Sequence, residues 1–391
     1  MDSNNRTPIV DMLIKYNEEV DVRFHMPGHK GSLDCENFSF LSQIARYDVT
    51  EVPGTDDLHN PTEAILIGEK LLAKAYGAAK SFFLVNGSTS GILTAISSAF
   101  YKNDTILIYK NCHYSVFNAI DLLNIGSFII SDLSFKNIKK MTSIFKCKGL
   151  IITRPDYYGV CVDIKAISEI CRKLNLILIT DEAHGAHLNF ADPDSGYPES
   201  ALKYSDFTIQ SAHKTIGALN QSSFLHLNNN GMSYYETVRK NLAIFQTSSP
   251  SYIILASADL AISNMVKNGK KLLDDLLKNI NYTVSEIEKR TPLRVQQGKS
   301  LLPGLTQTPD RLVIDTISAG FIGYSVEKYL RTKRIQVELS DENKIVCICT
   351  IFDKPNDFKK LVDALEEMIG HSNNTTCECS EKIEDKGGAI L

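Results

Sequence analysis

The chain reads as an α/β protein. It has a large domain, with a mostly parallel seven-stranded sheet flanked by helices, and a smaller C-terminal α/β domain. Three observations predict this. Short, uniformly apolar runs recur from about residue 82 onward, as expected for strands buried on both faces. Stretches with helical apolar spacing separate them, and alternating strands and helices build parallel sheets. A second, shorter set of the same signals lies beyond two long helical stretches.

Residues 1–60 read as an N-terminal arm with helical spacing over 8–16. Two of its loops, 23–31 and 50–61, are broken by Pro and Gly and concentrate His, Lys, Asp and Glu. The large domain is expected over 61–270. Its spacing predicts helices at 62–76, 90–100, 115–123 and 164–174, the first stopped by Gly77. Strands are expected at 82–85, 106–109, 128–130, 150–153, 176–180, 207–210 and 223–227. Long helices follow at 252–266 and 272–287. The small domain, 271–370, is expected to carry strands at 311–314 and 345–350 and helices at 323–332 and 355–368. The polar tail, 371–391, reads as disordered.

Bulk properties narrow the function classes. A chain of 391 residues, 43% hydrophobic and 23% charged, can bury a sizeable core. A net charge of −4 gives no reason to expect nucleic acid or an anionic membrane as partner. The first residues, Met1-Asp2-Ser3-Asn4-Asn5-Arg6, lack a signal-peptide core, and no apolar run approaches the roughly 20 residues of a membrane span. Nine scattered cysteines fit reduced thiols in a cytoplasmic protein. Cys347-Ile348-Cys349 and Cys377-Glu378-Cys379 lack the spacing of a zinc ribbon, so no metal is expected.

Ligands of such sheets bind at the carboxyl ends of strands, and three of those ends carry reactive groups. The first is Leu84-Val85-Asn86-Gly87-Ser88-Thr89-Ser90-Gly91, small and hydroxyl-rich at a helix start. Free amides and hydroxyls there suit a phosphate, although Ser or Thr also serves as an ordinary helix cap. Thr89 holds the centre where a nucleophile elbow needs Ser, so a hydrolase fits poorly. The second is Thr180-Asp181-Glu182-Ala183-His184-Gly185-Ala186-His187. Asp181 reads as a carboxylate for a cation, as a helix cap or, with His184 and His187, as a metal ligand. The third is Ser211-Ala212-His213-Lys214-Thr215, a lysine following an apolar strand by a few residues. A phosphate nest, an acid and a lysine at strand ends are the parts that hold pyridoxal phosphate.

With these segments, the chain resembles the ornithine/lysine/arginine decarboxylases, fold-type-I pyridoxal phosphate enzymes with the aspartate-aminotransferase fold. Further matching text is Phe24-His25-Met26-Pro27-Gly28-His29-Lys30-Gly31, residues 48–61, Asn111-Cys112-His113 and Thr247-Ser248-Ser249-Pro250-Ser251-Tyr252, and the likeness covers about 6–370. The resemblance implies that Lys214 forms the Schiff base with pyridoxal 5'-phosphate, that Asp181 pairs with the ring nitrogen and that His113 stacks on the ring. It assigns Gly87, Ser88, Thr89, Ser211 and His213 to the phosphate, and Ala183 and His184 to the ring and its phenolic oxygen. It also implies a homodimer or higher homo-oligomer with the site at the interface, where Thr247 and Ser248 reach the neighbour's phosphate. Tyr114, where the family commonly has Lys, together with Ala212 and Asn220, departs from the pattern. Family members also usually continue into a further domain, where this chain has a polar tail after Met368.

The activity this implies is decarboxylation of arginine, lysine or ornithine to a polyamine-pathway amine, with Lys214 or His213 returning the proton. Glu51, Asp56, Asp57 and Glu338 are the candidate partners of the substrate's distal cation. The alternatives are another fold-type-I enzyme, such as an aminotransferase using Arg154 or Arg311 for the substrate carboxylate, a catalytically impaired paralogue, and a metal hydrolase.

Overall fold

Apolar pentapeptides bounded by turn residues supply the main sheet. A computed structural model describes residues 6–32, 40–296 and 304–373. Its strands are β1 (Lys80–Leu84), β2 (Thr105–Tyr109), β3 (Gly126–Ile130), β4 (Gly149–Thr153), β5 (Val160–Val162), β6 (Ile177–Asp181), β7 (Phe207–Ser211), β8 (Ser223–Leu227), β9 (Arg294–Gln296), β10 (Leu305–Gln307), β11 (Arg311–Asp315), β12 (Leu339–Ser340) and β13 (Lys344–Ile348). Seven of these form the main sheet in the order β1-β8-β7-β6-β4-β2-β3. Only β8 runs against its neighbours, pairing antiparallel with β1 and β7. The mostly parallel seven-stranded sheet expected from the sequence is therefore present. The carboxyl ends of β1, β2, β4, β6 and β7 share one edge, which is where a ligand belongs.

The helices are α1 (Pro8–Glu19), α2 (Ser42–Ala45), α3 (Ala64–Tyr76), α4 (Gly87–Ala99), α5 (Tyr114–Leu123), α6 (Phe135–Phe145), α7 (Ile164–Leu174), α8 (Ala212–Thr215), α9 (Tyr235–Phe245), α10 (Tyr252–Arg290), α11 (Gly323–Thr332) and α12 (Pro355–Asn373). Local chemistry sets their ends. Pro8 opens α1, where its missing N–H costs nothing. Asp163 caps α7 by accepting from the Ala166 amide, and left-handed Gly77 and Asn175 stop α3 and α7. The core joins α4, α5 and α9 to the sheet through Ile92, Ile96, Val116, Ile106, Ile108, Ile179, Ile209 and Val238. Side chains such as Ile106 and Ile108 are fully buried, each contributing about 1.5–3 kcal/mol.

Contacts divide the chain into two compact units. The first holds the chain up to Asp156, Val162–Ala191 and Glu199–Lys270; the second holds Tyr157–Cys161, Asp192–Pro198 and the chain from Lys271. The second unit carries a four-stranded sheet, β12-β13-β11-β9, and every pairing in it is antiparallel.

Several expectations are corrected. The two helices at 252–266 and 272–287 are one helix, α10. Gly269, between the two expected helices, sits inside α10 with Phe190 packed against it: an added Cβ would lie 3.0 Å from the Phe190 Cβ. The strand expected over 345–350 stops at Ile348, leaving Cys349 beyond it. The tail expected from residue 371 is helical through Asn373; residues 374–391, with Cys377 and Cys379, lie outside the described part. Helices α6 and α9 have no counterpart in the sequence reading.

Candidate active site

Strand β6 ends on Asp181, which is 2% exposed. Its Oδ1 accepts from the Ala183 amide at 3.1 Å. Burial pushes the carboxyl above its ordinary range, while the Lys214 ammonium, the Ala183 amide and the imidazole of His113 draw it back. A cation beside this acid therefore acts in the same direction as Lys214, lowering its pKa.

Strand β7, next to β6, delivers the lysine. Ser211 ends the strand and α8 carries Ala212, His213 and Lys214 in a single turn. Lys214 Nζ lies 3.1 Å from His184 Nε2, so the loop after β6 and the turn after β7 meet at the amine. Ala183 and His184 are both 5% exposed. His213 Nδ1–H donates to the Ser222 carbonyl at 2.8 Å. Burial lowers the His213 pKa, the nearby Lys214 charge lowers it further, and the Ser222 carbonyl opposes both. The ring is thus neutral near pH 7, with its proton committed to Ser222.

The third part is the start of α4, after β1. Gly87 N–H donates to the Gln221 carbonyl at 2.9 Å. The Ser88 and Thr89 hydroxyls, at the head of the helix, make no hydrogen bond to a described residue. Helix α4 packs on β7, where the fully buried Ser211 Oγ has no hydrogen-bond partner, nor has the buried Ser222 Oγ. Buried hydroxyls are normally paired. Orphaned hydroxyls beside a helix N-terminus fit an anion with several acceptor oxygens, such as a phosphate monoester. The donor set therefore fits pyridoxal phosphate: an anion cradle, a buried acid and an amine on one sheet edge.

His113 follows β2 and caps α5; its Nδ1 accepts from the Ser115 amide at 3.2 Å, fixing the ring's orientation. Tyr114 beside it is 63% exposed. Thr247 lies against this chain's own cradle: its amide donates to Asn86 Oδ1 at 3.1 Å, and its carbonyl accepts from His59 Nε2 at 2.8 Å. Ser248 follows it and is exposed.

The acids proposed for the substrate's distal cation separate. Asp56 is 4% exposed and is consumed by capping α3, accepting from the Thr62, Glu63 and Ile65 amides at 2.8–3.0 Å. Its expected recognition role is corrected to a structural one. Asp57 Oδ1 accepts from the His59 amide at 2.8 Å. Glu338 belongs to the second unit and accepts from the Tyr157 hydroxyl at 3.2 Å. Glu51 alone among the four has a carboxylate oxygen that is buried with no hydrogen-bond partner.

Two residues that the sequence offered for a substrate carboxylate are engaged elsewhere. Arg154 binds Glu182 at 3.1 Å, and Arg311 binds Asp310 at 2.6 Å, both pairs buried. Among the described residues, no group of three or more His, Cys, Asp or Glu is placed to hold a metal. Sequence reasoning missed Glu182 and Gln210, which join the strand ends from below; an acid directly after Asp181 was the available signal.

A family model for the Orn/Lys/Arg decarboxylase major domain matches residues 7–131 and 128–308. The uncharacterized protein YaaO of Bacillus subtilis is 33% identical over 381 residues, covering 93% of this chain and 78% of that protein. An arginine decarboxylase of the same organism is 33% identical over 386 residues, covering 94% and 78%. Among solved structures, the Francisella novicida lysine decarboxylase LdcF superposes with a TM-score of 0.83 at 18% identity, covering 95% of this chain. This chain spans 61% of the length of that structure. With most of its length matched by the family model and a strand-end lysine, acid and anion cradle, the chain belongs to the Orn/Lys/Arg decarboxylase family.

Proposed function

We propose that the protein is a pyridoxal phosphate-dependent decarboxylase of a basic amino acid, with arginine first among arginine, lysine and ornithine. The observation that carries this reading is the meeting of Lys214 and His184 next to the buried Asp181. The relatives named arginine decarboxylase support the substrate class.

When bound, pyridoxal phosphate supplies an electron sink for the pair released as the carboxylate leaves. Ser88, Thr89, Ser211 and Gly87, with His213 and the α4 amides, would hold its phosphate; Thr247 and Ser248 would reach the phosphate of a neighbouring copy. Asp181 would hold the proton of the ring nitrogen, and His113 and Ala183 would flank the ring. Lys214 would anchor the cofactor through its amine, and the same amine is placed to return a proton to the substrate Cα. His213 is the poorer donor for that step, because its Nδ1 proton is bound to Ser222 and its ring is neutral. His184 orients the Lys214 amine. Glu51, with its orphaned oxygen, is the acid of this chain best suited to a guanidinium or ammonium group. The internal pairing of Arg154 and Arg311 supports decarboxylation over transamination, which needs a free clamp for the carboxylate.

The test is direct. The purified protein mixed with pyridoxal phosphate shows the visible band of the lysine-bound cofactor and releases carbon dioxide from at least one of the three amino acids. Lys214→Ala loses both. A Lys214→Ala protein that keeps the band and the gas release overturns the reading. A wild-type band without gas release points instead to an aminotransferase or an impaired paralogue.

A further inference from the structure

We infer that Glu182 is a positioning residue, one that sets the Asp181 carboxylate and the Lys214 amine in register from beneath the site. The inference rests on the reading above. Glu182 is fully buried and all its acceptor positions are filled. Oε1 accepts from Arg154 Nη1 at 3.1 Å and from the Ala201 amide at 2.8 Å. Oε2 accepts from the Ser200 hydroxyl at 2.6 Å and from Gln210 Nε2 at 2.7 Å.

The sequence positions of these partners give the network its leverage. Arg154 follows the last residue of β4. Glu182 follows Asp181 directly. Gln210 precedes Ser211 and stands four residues before Lys214. One carboxylate therefore ties together the ends of three adjacent strands, two of which carry the reactive acid and amine. The clamp also reaches the loop holding His184: Gln210 Nε2 lies 3.4 Å from the Gly185 carbonyl, and a Cβ on Gly185 would come within 2.5 Å of Glu182 Cγ.

The effect is geometric. Burial raises the Glu182 carboxyl while Arg154, Ser200, Ala201 and Gln210 pull it back down; the groups that move the Asp181 pKa are others, Lys214 first among the charges. A buried ion pair of this kind is weak evidence for stability, since a well-packed apolar replacement is often no worse. What it supplies here is a fixed spacing, and a misplacement of about 1 Å can cost about 100-fold in rate.

Three variants separate positioning from mere stability. Glu182→Gln turns one filled acceptor into an NH2 donor, which faces either Arg154 and the Ala201 amide or Ser200 and Gln210. It should lower kcat by at least about tenfold with KM changed less than about threefold, and shift the pH titration of the resting enzyme's visible band. It should also lower Tm, because the Arg154 cation loses its counter-charge. Adding Arg154→Met removes that charge, and the double variant should regain Tm but not kcat or the band titration. Gln210→Leu, which leaves the Glu182–Arg154 pair intact, should shift the band titration and kcat in the same sense with little change in Tm. Recovery of kcat together with Tm in the double variant overturns the inference, as does a wild-type band titration in Gln210→Leu. A wild-type protein that shows no band at all overturns the proposed function instead.

Discussion

His226 sits where only a neutral imidazole is tolerated. It is 1% exposed, its Nδ1 lies 2.7 Å from Ser81 Oγ, and its ring packs at 4.8 Å on Tyr76. Burial pushes its pKa down to about 3. Its unfolded value is about 6.5. Stability from the neutral form is therefore complete above pH 6.5 and is lost as pH falls toward 3, because only the unfolded chain takes up the proton. Between pH 7 and 5 this amounts to about 2 kcal/mol. Urea titrations should show His226→Leu gaining about that much on the wild type over the same interval. Parallel stability curves at the two pH values would refute the assignment. The histidine is thus a core residue, unlike His184, whose ring bonds the Lys214 amine.

At the level of elements, the N-terminal helix α1 depends on a distant acid. Asp259, from α10, accepts from the Ile9 and Val10 amides at 2.9 and 3.3 Å, satisfying donors that the helix itself leaves open. Burial raises its pKa to about 7, against the pull of those amides and with Asp11 adding to the rise. The sign is opposite to that of His226. A raised acid favours the folded state below its unfolded value near 4, and that advantage is lost as pH rises through about 7. Asp259→Asn should therefore gain about 2 kcal/mol on the wild type between pH 5 and 7, seen as a Tm difference that widens with pH. A constant difference would mean the acid is ionised throughout.

The same scale shows what the sequence made legible. Runs such as Ile106-Leu107-Ile108 announce strands because they are short and bounded by turn residues, whereas the apolar run Ile65-Leu66-Ile67 continues at helical spacing into α3. The strand expected at 82–85 begins two residues after β1 does, because β1 opens on Lys80 and Ser81, which look like loop; Ser81 is buried against His226. Helix α6 carries little periodic signal because it buries only Ile138, and α9 because it buries only Val238 and Leu242. The site's reactive residues were legible as three local motifs. The Glu182 network was not, because Arg154, Ser200 and Gln210 are 18–28 residues away and meet only through strand order. Asp56 misled for the same reason: its capping of α3 is invisible until the loop turns back on the helix.

For the molecule as a whole, the N-terminal arm presents apolar side chains to solvent. Val22, Phe24 and Met26 are 68, 95 and 66% exposed within one short loop, and Ile44 is 44% exposed in α2. Single exposed apolar residues are ordinary, but several large ones in one arm form a patch of the kind that interaction sites use. The same arm carries Tyr16, hydrogen-bonded to His25 at 2.6 Å, and His29, paired with Asp48 at 3.0 Å, so its backbone is held in place. A prepared apolar surface on a fixed arm suits a second copy of this chain, in keeping with the expectation of a homodimer whose site lies at the interface. Light scattering on the eluting protein should then give twice the 43.5 kDa chain mass. The double variant Phe24→Asp, Met26→Ser should shift the mass toward a single chain. Its carbon dioxide release should fall at low protein concentration and recover as concentration rises, because association is then what completes the site. A wild-type protein that runs at the mass of one chain while fully active would remove the dimer from this account.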